Sequence, residues 1–181
     1  MSKLVEKKIS SQTVYKGNFL DVKKDNVVLP NGENSTREWI NHPGAVVIVP
    51  ILPNGKIALI RQFRYAMGSE FIELPAGKID KGETPDECAI RELEEEIGFK
   101  TKNLNFIAMI HPAIGFANEN MSLYLATDLV QTNINRDSDE FLELMPTSLE
   151  HALDLVWSNK ITDVKTIIGI LWYQKIYQES K

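Results

Sequence analysis

Cysteine, histidine and surplus positive charge are all scarce in this sequence, and each shortage removes a class of function. Cys88 stands alone, so no intrachain disulfide framework can form. With only three histidines in the chain, neither a His-based metal site nor a catalytic triad is apparent. Basic residues number 20 against 25 acidic ones, a formal net charge of -5. Nucleic acid and anionic membranes both demand a basic surface, so neither is expected as a partner. No apolar run is long enough to cross a bilayer, and the N-terminus lacks the apolar core of a signal peptide; a cytoplasmic location is therefore expected. What remains is 181 residues, 43% hydrophobic and 25% charged, the make-up of one globular domain with room for a small extension.

The chemistry concentrates between Gly77 and Phe99, in GKIDKGETPDECAIRELEEEIGF. Thr84 as N-cap, Pro85 at the first helical position and Glu87 closing a capping box predict a helix that Gly98 ends. Helical spacing puts Ile90, Leu93 and Ile97 on a core side and gathers Glu92, Glu95 and Glu96 on another. Like charges on neighbouring turns cost a few tenths of a kcal/mol per pair, roughly. Two readings follow: a solvated acidic face with a local Arg91 to Glu95 ion pair, or a cluster that a bound cation would turn from repulsive to attractive. Cys88, one turn before Glu92, is either a packed thiol or a reactive one, and packing is the expectation.

Gly77, Glu83, Arg91-Glu92-Leu93, Glu95-Glu96 and Gly98-Phe99 stand at the fixed spacings of the Nudix hydrolase box, with every fixed position filled. The sequence resembles that family. The resemblance implies that Glu92 and Glu96 are the principal metal ligands, with Glu95 assisting and the backbone carbonyl of Ala76 joining them. It also implies that Arg91 orients the carboxylates and that Glu83 braces the loop. Hard oxygen ligands without a His or Cys cluster suit Mg²⁺ (or Mn²⁺) and disfavour zinc.

Upstream, Lys7 to Thr13, Phe19 to Leu29 and Ser35 to Asn41 read as short strands, with Pro30-Asn31-Gly32 as the turn between the last two. So small an antiparallel unit needs a partner surface. His42-Pro43-Gly44 is the expected boundary, dividing a 1–43 β unit from a 44–181 catalytic domain. Ala45 to Leu52 and Lys56 to Phe63, joined by Pro53-Asn54-Gly55, are expected to form a hairpin. Gln62-Phe63-Arg64-Tyr65 followed by Glu73-Leu74-Pro75-Ala76-Gly77 looks like the ADP-ribose pyrophosphatase branch of Nudix enzymes, which hydrolyse nucleoside diphosphate sugars. That branch implies a homodimer with exchanged N-terminal strands. It also implies a diphosphate contact from Arg64, base contacts from Arg37 and Glu38, and a substrate contact from Glu119. Trp39 is added for its stacking surface, although a structural Trp fits it equally well.

Downstream, Asn103 to Ile110 and Met121 to Thr127 are expected strands. The loop between them carries Ala113-Ile114 where the branch has Ser-Pro, while Gly115 and Glu119 match. His111 in that loop reads as structural rather than as an acid or base. The polar run 131–140 precedes the expected strand Phe141 to Leu144, and the resemblance assigns Glu140 there as the base that deprotonates water, with Asp139 and Glu143 as alternatives. Two helices close the chain. The first is capped by Ser148, with Leu149, Ala152, Leu153 and Val156 inside; the second is capped by Asp163 or Thr162, with Val164, Ile167, Ile168, Leu171 and Trp172 as its buried face.

Mixed helices and strands in this order predict an α/β fold, by resemblance a Nudix-type α/β/α sandwich with a mixed sheet and a small N-terminal antiparallel β extension. The expected activity is Mg²⁺-dependent cleavage of a nucleoside diphosphate sugar to a nucleoside monophosphate and a sugar phosphate. Catalysis would rest on Glu92, Glu96, Arg91 and Glu140. The alternatives are hydrolysis of dinucleoside polyphosphates or non-standard nucleoside triphosphates, and a nucleotide-sugar sensor without turnover.

Overall fold

A computed structural model of the chain describes residues 3–132 and 141–179. Contacts divide the chain into two units, one built from the segment up to Pro43 with His111–Asn120, the other from Gly44–Ile110 with the segment from Met121 onward.

The first unit is an antiparallel sheet of β1 (Lys7–Lys16), β2 (Asp21–Val28) and β3 (Asn34–Ile40), in that spatial order. The expected turn joins β2 to β3: Gly32 takes a φ of 89°, and its N–H donates to the Leu29 carbonyl at 2.9 Å. Only a residue without a side chain adopts that backbone freely. As an edge strand, β1 is exposed at all ten positions. The 111–120 loop joins this unit through Ile40, whose N–H donates to Phe116 at 2.8 Å and whose carbonyl accepts from Asn118 at 3.2 Å.

The second unit holds two sheets. One is antiparallel, in the order β10 (Leu142–Thr147), β5 (Ile57–Arg64), β6 (Ser69–Glu73). The other runs β7 (Ala76–Lys78), β4 (Ala45–Pro50), β9 (Met121–Gln131), β8 (Phe99–Ile110), with β4 and β9 parallel and the remaining pairs antiparallel. Among the described residues the α-helices are α1 (Pro85–Ile97), between β7 and β8, and α2 (Leu149–Trp157) and α3 (Val164–Glu179), both after β10.

Why β4 is apolar throughout is clear from its two neighbourhoods. Val46 and Ile48 pack with Cys88, Ala89, Leu93 and Ile97 of α1, whereas Val47 and Val49 pack with Ala152 and Val156 of α2 and Ile170 and Tyr173 of α3. Side chains alternate across a strand, so a strand covered on both sides must be apolar at every position. Full burial of each such Val or Ile contributes roughly 1.5–3 kcal/mol. Helices on both faces make the unit an α/β/α sandwich with a mixed sheet.

Three local expectations need correction. The turn at Pro53-Asn54-Gly55 forms, with Gly55 donating to Leu52 at 2.8 Å, but the flanking strands do not make a hairpin. One bridge, Ile51 to Ile57, links them before β4 and β5 enter different sheets, because the ladder edges of each are already taken by other strands. On α1, Ile90 is exposed, and Cys88 and Ala89 take its place beside Leu93 and Ile97. On α3, Val164 and Trp172 are exposed and Leu171 is only partly buried, while Lys165, Thr166, Gly169, Ile170 and Tyr173 face inward. A face that carries Lys, Thr and Gly is not an apolar stripe; polar bonds and close approach set the phase of this helix.

The α1 N-terminus forms as expected: Thr84 Oγ accepts from the Glu87 N–H, and the Glu87 carboxylate accepts from the Thr84 N–H at 2.8 Å. Replacing Thr84 by Ala is expected to cost about 1 kcal/mol of stability, with Thr84→Ser close to wild type. Urea unfolding followed by circular dichroism measures both; a Thr84→Ala midpoint equal to wild type would rule the cap out as a contributor.

Candidate active site

Two fixed ends set the rotation of α1. Thr84 caps it at one end, and Gly98 closes it at the other with a φ of 72°. In that phase Glu92 and Glu96 turn toward β7 rather than solvent, with exposures of 7% and 4%. A solvated acidic face is therefore excluded for these two residues. Gly77 makes the approach possible: a Cβ at this position would lie 1.8 Å from the Glu92 Oε1. No side chain fits there while Glu92 stays in place. Glu96 is tied to the same strand, accepting from the Ala76 N–H at 3.2 Å.

Arg91 holds the cluster together. Its Nε and Nη2 donate to the two oxygens of Glu83 at 2.8 and 3.0 Å, and its Nη1 donates to Glu92 at 2.7 Å and Glu95 at 2.8 Å. Nη2 also reaches the Lys78 carbonyl at 3.3 Å. The hydrogen bonds from Arg91 hold the Glu83 carboxyl down at about 2, and those carboxylates in turn raise the Arg91 guanidinium above its ordinary range. One positive charge here faces Glu83, Glu92 and Glu95, with Glu96 beside them, so the site keeps a surplus of negative charge. Among the described residues, no trio of Asp, Glu, His or Cys side chains is already gathered tightly enough to grip an ion. Glu92 and Glu95 rest on Arg91 instead.

Arg64 ends β5 in a two-pronged pair with Glu73, Nε to Oε1 at 2.6 Å and Nη2 to Oε2 at 2.7 Å. Glu73 is only 2% exposed and also accepts from Lys165. Burial alone would raise its carboxyl; the Arg64 hydrogen bonds and the Lys165 charge outweigh that and hold it below the usual range. The charge of Glu96 is felt at Arg64 and raises its guanidinium further, after the larger effect of Glu73. Lys165 was absent from the sequence expectations, Glu73 entered them only as part of the Glu73-Leu74-Pro75-Ala76-Gly77 signature, and Asp163 only as a helix cap, which it is, accepting from the Thr166 N–H at 3.0 Å. A signal was available in Gly169, which stands one helical turn beyond Lys165 and marks the side of α3 that approaches the sheet closely.

The base-contact candidates lie in the other unit. The β2 register pairs Arg37 with Asp25 and Trp39 with Lys23, whereas Glu38 pairs with Lys24. Strand alternation therefore puts Arg37 and Trp39 on one face and Glu38 on the opposite one. Arg37 is ion-paired with Glu6 at 2.5 Å, Glu38 with Lys24 at 3.4 Å, and Glu119 lies 3.7 Å from the His42 ring nitrogen. Trp39 is half-buried and hydrogen-bonds Asp25, whose carboxyl is lowered by Ser11 first and by Trp39 as well. Glu140 and Asp139 lie outside the described residues. Glu143 is exposed on β10, 3.6 Å from Arg61.

Residues 41–164 match the NUDIX domain, and residues 6–40 match the nucleoside diphosphate sugar hydrolase N-terminal domain. The chain belongs to the Nudix family. It is 41% identical to an ADP-ribose pyrophosphatase of Bacillus subtilis (strain 168) over 176 residues, covering 96% of this chain and 95% of the relative. It is 37% identical to a methanol dehydrogenase activator of Bacillus methanolicus, covering 96% of each. A crystal structure of an ADP compounds hydrolase is similar at a TM-score of 0.89 and 25% identity, with 99% of this chain and 98% of that one covered. The match spans the Nudix box and the segment ahead of it, so both halves of the resemblance rest on more than the box itself.

Within this Nudix site Cys88 is structural. It is fully buried, and burial first, then the nearby Glu83, pushes its thiol up to about 12. A thiolate is the reactive form, so native protein at pH 8 is expected to leave a disulfide reagent such as dithionitrobenzoate unreacted, with one thiol released on denaturation. Rapid reaction of the native protein would contradict this.

Proposed function

We propose that this Nudix protein hydrolyses the diphosphate linkage of nucleoside diphosphate sugars of the ADP-ribose type. The observation that carries the reading is the seating of Glu92 against Gly77, with Arg91 spanning three carboxylates. Such buried, mutually repelling acids are costly unless a cation shares them. Their donor chemistry fits Mg²⁺ or Mn²⁺: carboxylate and backbone oxygens, with no thiolate or imidazole among them. Glu92, Glu96 and Glu95 would hold the ion, joined by the Ala76 carbonyl. When bound, a divalent ion neutralises phosphate oxygens and makes water a better nucleophile.

The remaining work belongs to the chain itself. Arg91 keeps Glu92 and Glu95 aimed together, and Glu83 keeps Arg91 from swinging away. Arg64, anchored to Glu73 on one edge, offers its other edge to the diphosphate, a group that guanidinium recognises well. Water attacks one phosphorus; a P–O bond to its oxygen forms while the bond to the bridging oxygen breaks. The bridging oxygen leaves on the other phosphate, giving a nucleoside monophosphate and a sugar phosphate, and the water's proton passes to a base. Glu140 is the residue the family resemblance assigns to that role.

Base recognition by Arg37, Glu38 and Trp39 and a substrate contact from Glu119 are part of the same proposal, with Glu38 on the opposite face of β3 from Arg37 and Trp39. So is a homodimer with exchanged N-terminal strands, supported by the bare edge of β1, where Ile9, Val14 and Tyr15 are exposed. A mass in solution of twice 20.5 kDa is the expected reading from light scattering. No nucleic acid or membrane partner is proposed: the net charge is -5, and among the described residues no helix is long and apolar enough to span a membrane. A cytoplasmic setting is part of the same proposal, in keeping with a sequence whose single cysteine offers no intrachain disulfide.

Mass spectrometry of products from ADP-ribose with Mg²⁺ tests the reading directly. AMP and ribose 5-phosphate are expected, and their absence under both Mg²⁺ and Mn²⁺ would sink it. Glu96→Gln should lower turnover by about 100-fold or more with the circular dichroism spectrum unchanged. Gly77→Ala, which forces Glu92 off its seat, should weaken Mn²⁺ binding by about tenfold or more in a calorimetric titration. Wild-type affinity in that variant would remove Glu92 from the ligand set.

A further inference from the structure

Lys165 is in the wrong place for stability. It lies in the first turn of α3, where the helix dipole disfavours a cation, and it is only 9% exposed, where a charge is expensive. An apolar side chain of similar length would pack there without either cost. Its ammonium group instead meets Glu73 Oε2 and, at 2.9 Å, Asp163 Oδ2.

The partners explain the placement. Glu73 Oε2 also accepts from Arg64 Nη2, so Lys165 and Arg64 share one oxygen of a buried carboxylate. The Arg64 side chain is 43% exposed while the acid that holds it is buried. Its inner edge is fixed and its outer edge is open to an anion. Without Lys165, the Glu73 carboxylate loses the bond that stops it turning about its own axis, and the Arg64 fork turns with it.

The same helix end grips the next residue of the chain. Thr166 Oγ accepts from the Leu74 N–H at 2.8 Å and donates to Asp163 at 2.6 Å. Gly169 permits this close seating: a Cβ there would stand 2.3 Å from Leu74 Cδ1 and 3.2 Å from Val49 Cγ2. The first turn of α3 thus holds Glu73 and Leu74, directly ahead of Ala76, whose N–H ties down Glu96.

We propose that Lys165 is a positioning residue for the reaction: it locks Glu73 so that Arg64 presents a fixed guanidinium edge to the diphosphate. The proposal rests on the reading of Arg64 as the diphosphate contact and adds to it a residue remote from the box. Lys165 touches no substrate on this account; it acts through Glu73 and Arg64 alone.

A double-mutant cycle on the full chain tests it. Lys165→Met should lower kcat/KM for ADP-ribose by about 10- to 100-fold, the size of effect expected when a binding group is misplaced by about an ångström. In an Arg64→Ala background the same change should alter kcat/KM by less than about twofold, since the group it positions is gone. Equal factors in the two backgrounds would show a general structural effect and overturn the proposal. Lys165→Leu, which likewise removes the donor to Glu73, serves the same cycle if the Met variant does not fold. A second readout needs no turnover: the Arg64 Nε–H resonance, assigned by its loss in Arg64→Lys, should be resolved in wild type and broadened by exchange in the Lys165 variant. An unchanged resonance would refute the lock. If wild type itself fails to cleave nucleoside diphosphate sugars, the functional reading falls while the resonance still decides whether Lys165 fixes Arg64.

Discussion

Mutual repulsion among Glu83, Glu92, Glu95 and Glu96 is the constraint around which the catalytic unit is built. Left in water, such acids would spread apart; here a capped helix, a strand and one guanidinium hold them together. Arg91 satisfies three of them at once, and the Ala76 N–H satisfies the fourth. The arrangement is only partly neutralised, and that incompleteness is the chemical point. A fully balanced cluster would have no appetite for a cation.

Holding acids against a backbone requires closeness that ordinary side chains prevent. The fold supplies it twice, at Gly77, where Glu92 occupies the space a Cβ would take, and at Gly169, where α3 sinks onto Leu74 and Val49. The two contacts lie on either side of Pro75-Ala76. One fixes the carboxylates to that segment from the α1 side, and the other fixes Glu73 and Leu74 to it from the α3 side. A β4 strand that is apolar on both faces serves both helices, which explains why the short β7 can carry so much of the site's geometry.

Local chemistry was legible in the sequence, and long-range pairing was not. The α1 caps, the Pro30-Asn31-Gly32 turn and the Ser148 cap follow from backbone preferences that act within a few residues, and each forms. The acidic box was legible for the same reason: its spacing lies within one helix and one loop. The hairpin expected from β4 and β5 failed because strand edges are assigned by competition among all strands, and β7, β9, β6 and β10 took them. The α3 face failed because hydrophobicity was used to find it, while Lys165, Thr166 and Gly169 are held by an ion pair, a hydrogen bond and a close approach. Glu73 meets Lys165 across most of a hundred residues, a distance at which no periodicity carries information.

The donor inventory separates the roles of the two arginines. A guanidinium has five N–H groups. Arg91 directs its nitrogens at Glu83, Glu92, Glu95, the Lys78 carbonyl and the Cys88 sulfur, so every one of its nitrogens is committed inside the cluster. Such a residue orients acids and has nothing to extend to a phosphate. Arg64 gives one edge, Nε and Nη2, to Glu73 and keeps the other toward the half-exposed side. In a protein with a net charge of -5, attraction for an anionic diphosphate must come from local positive groups rather than the overall field. On the proposed reading that duty falls to Arg64 and to a cation shared by the glutamates, and both depend on the segment Glu73 to Ala76 being held still.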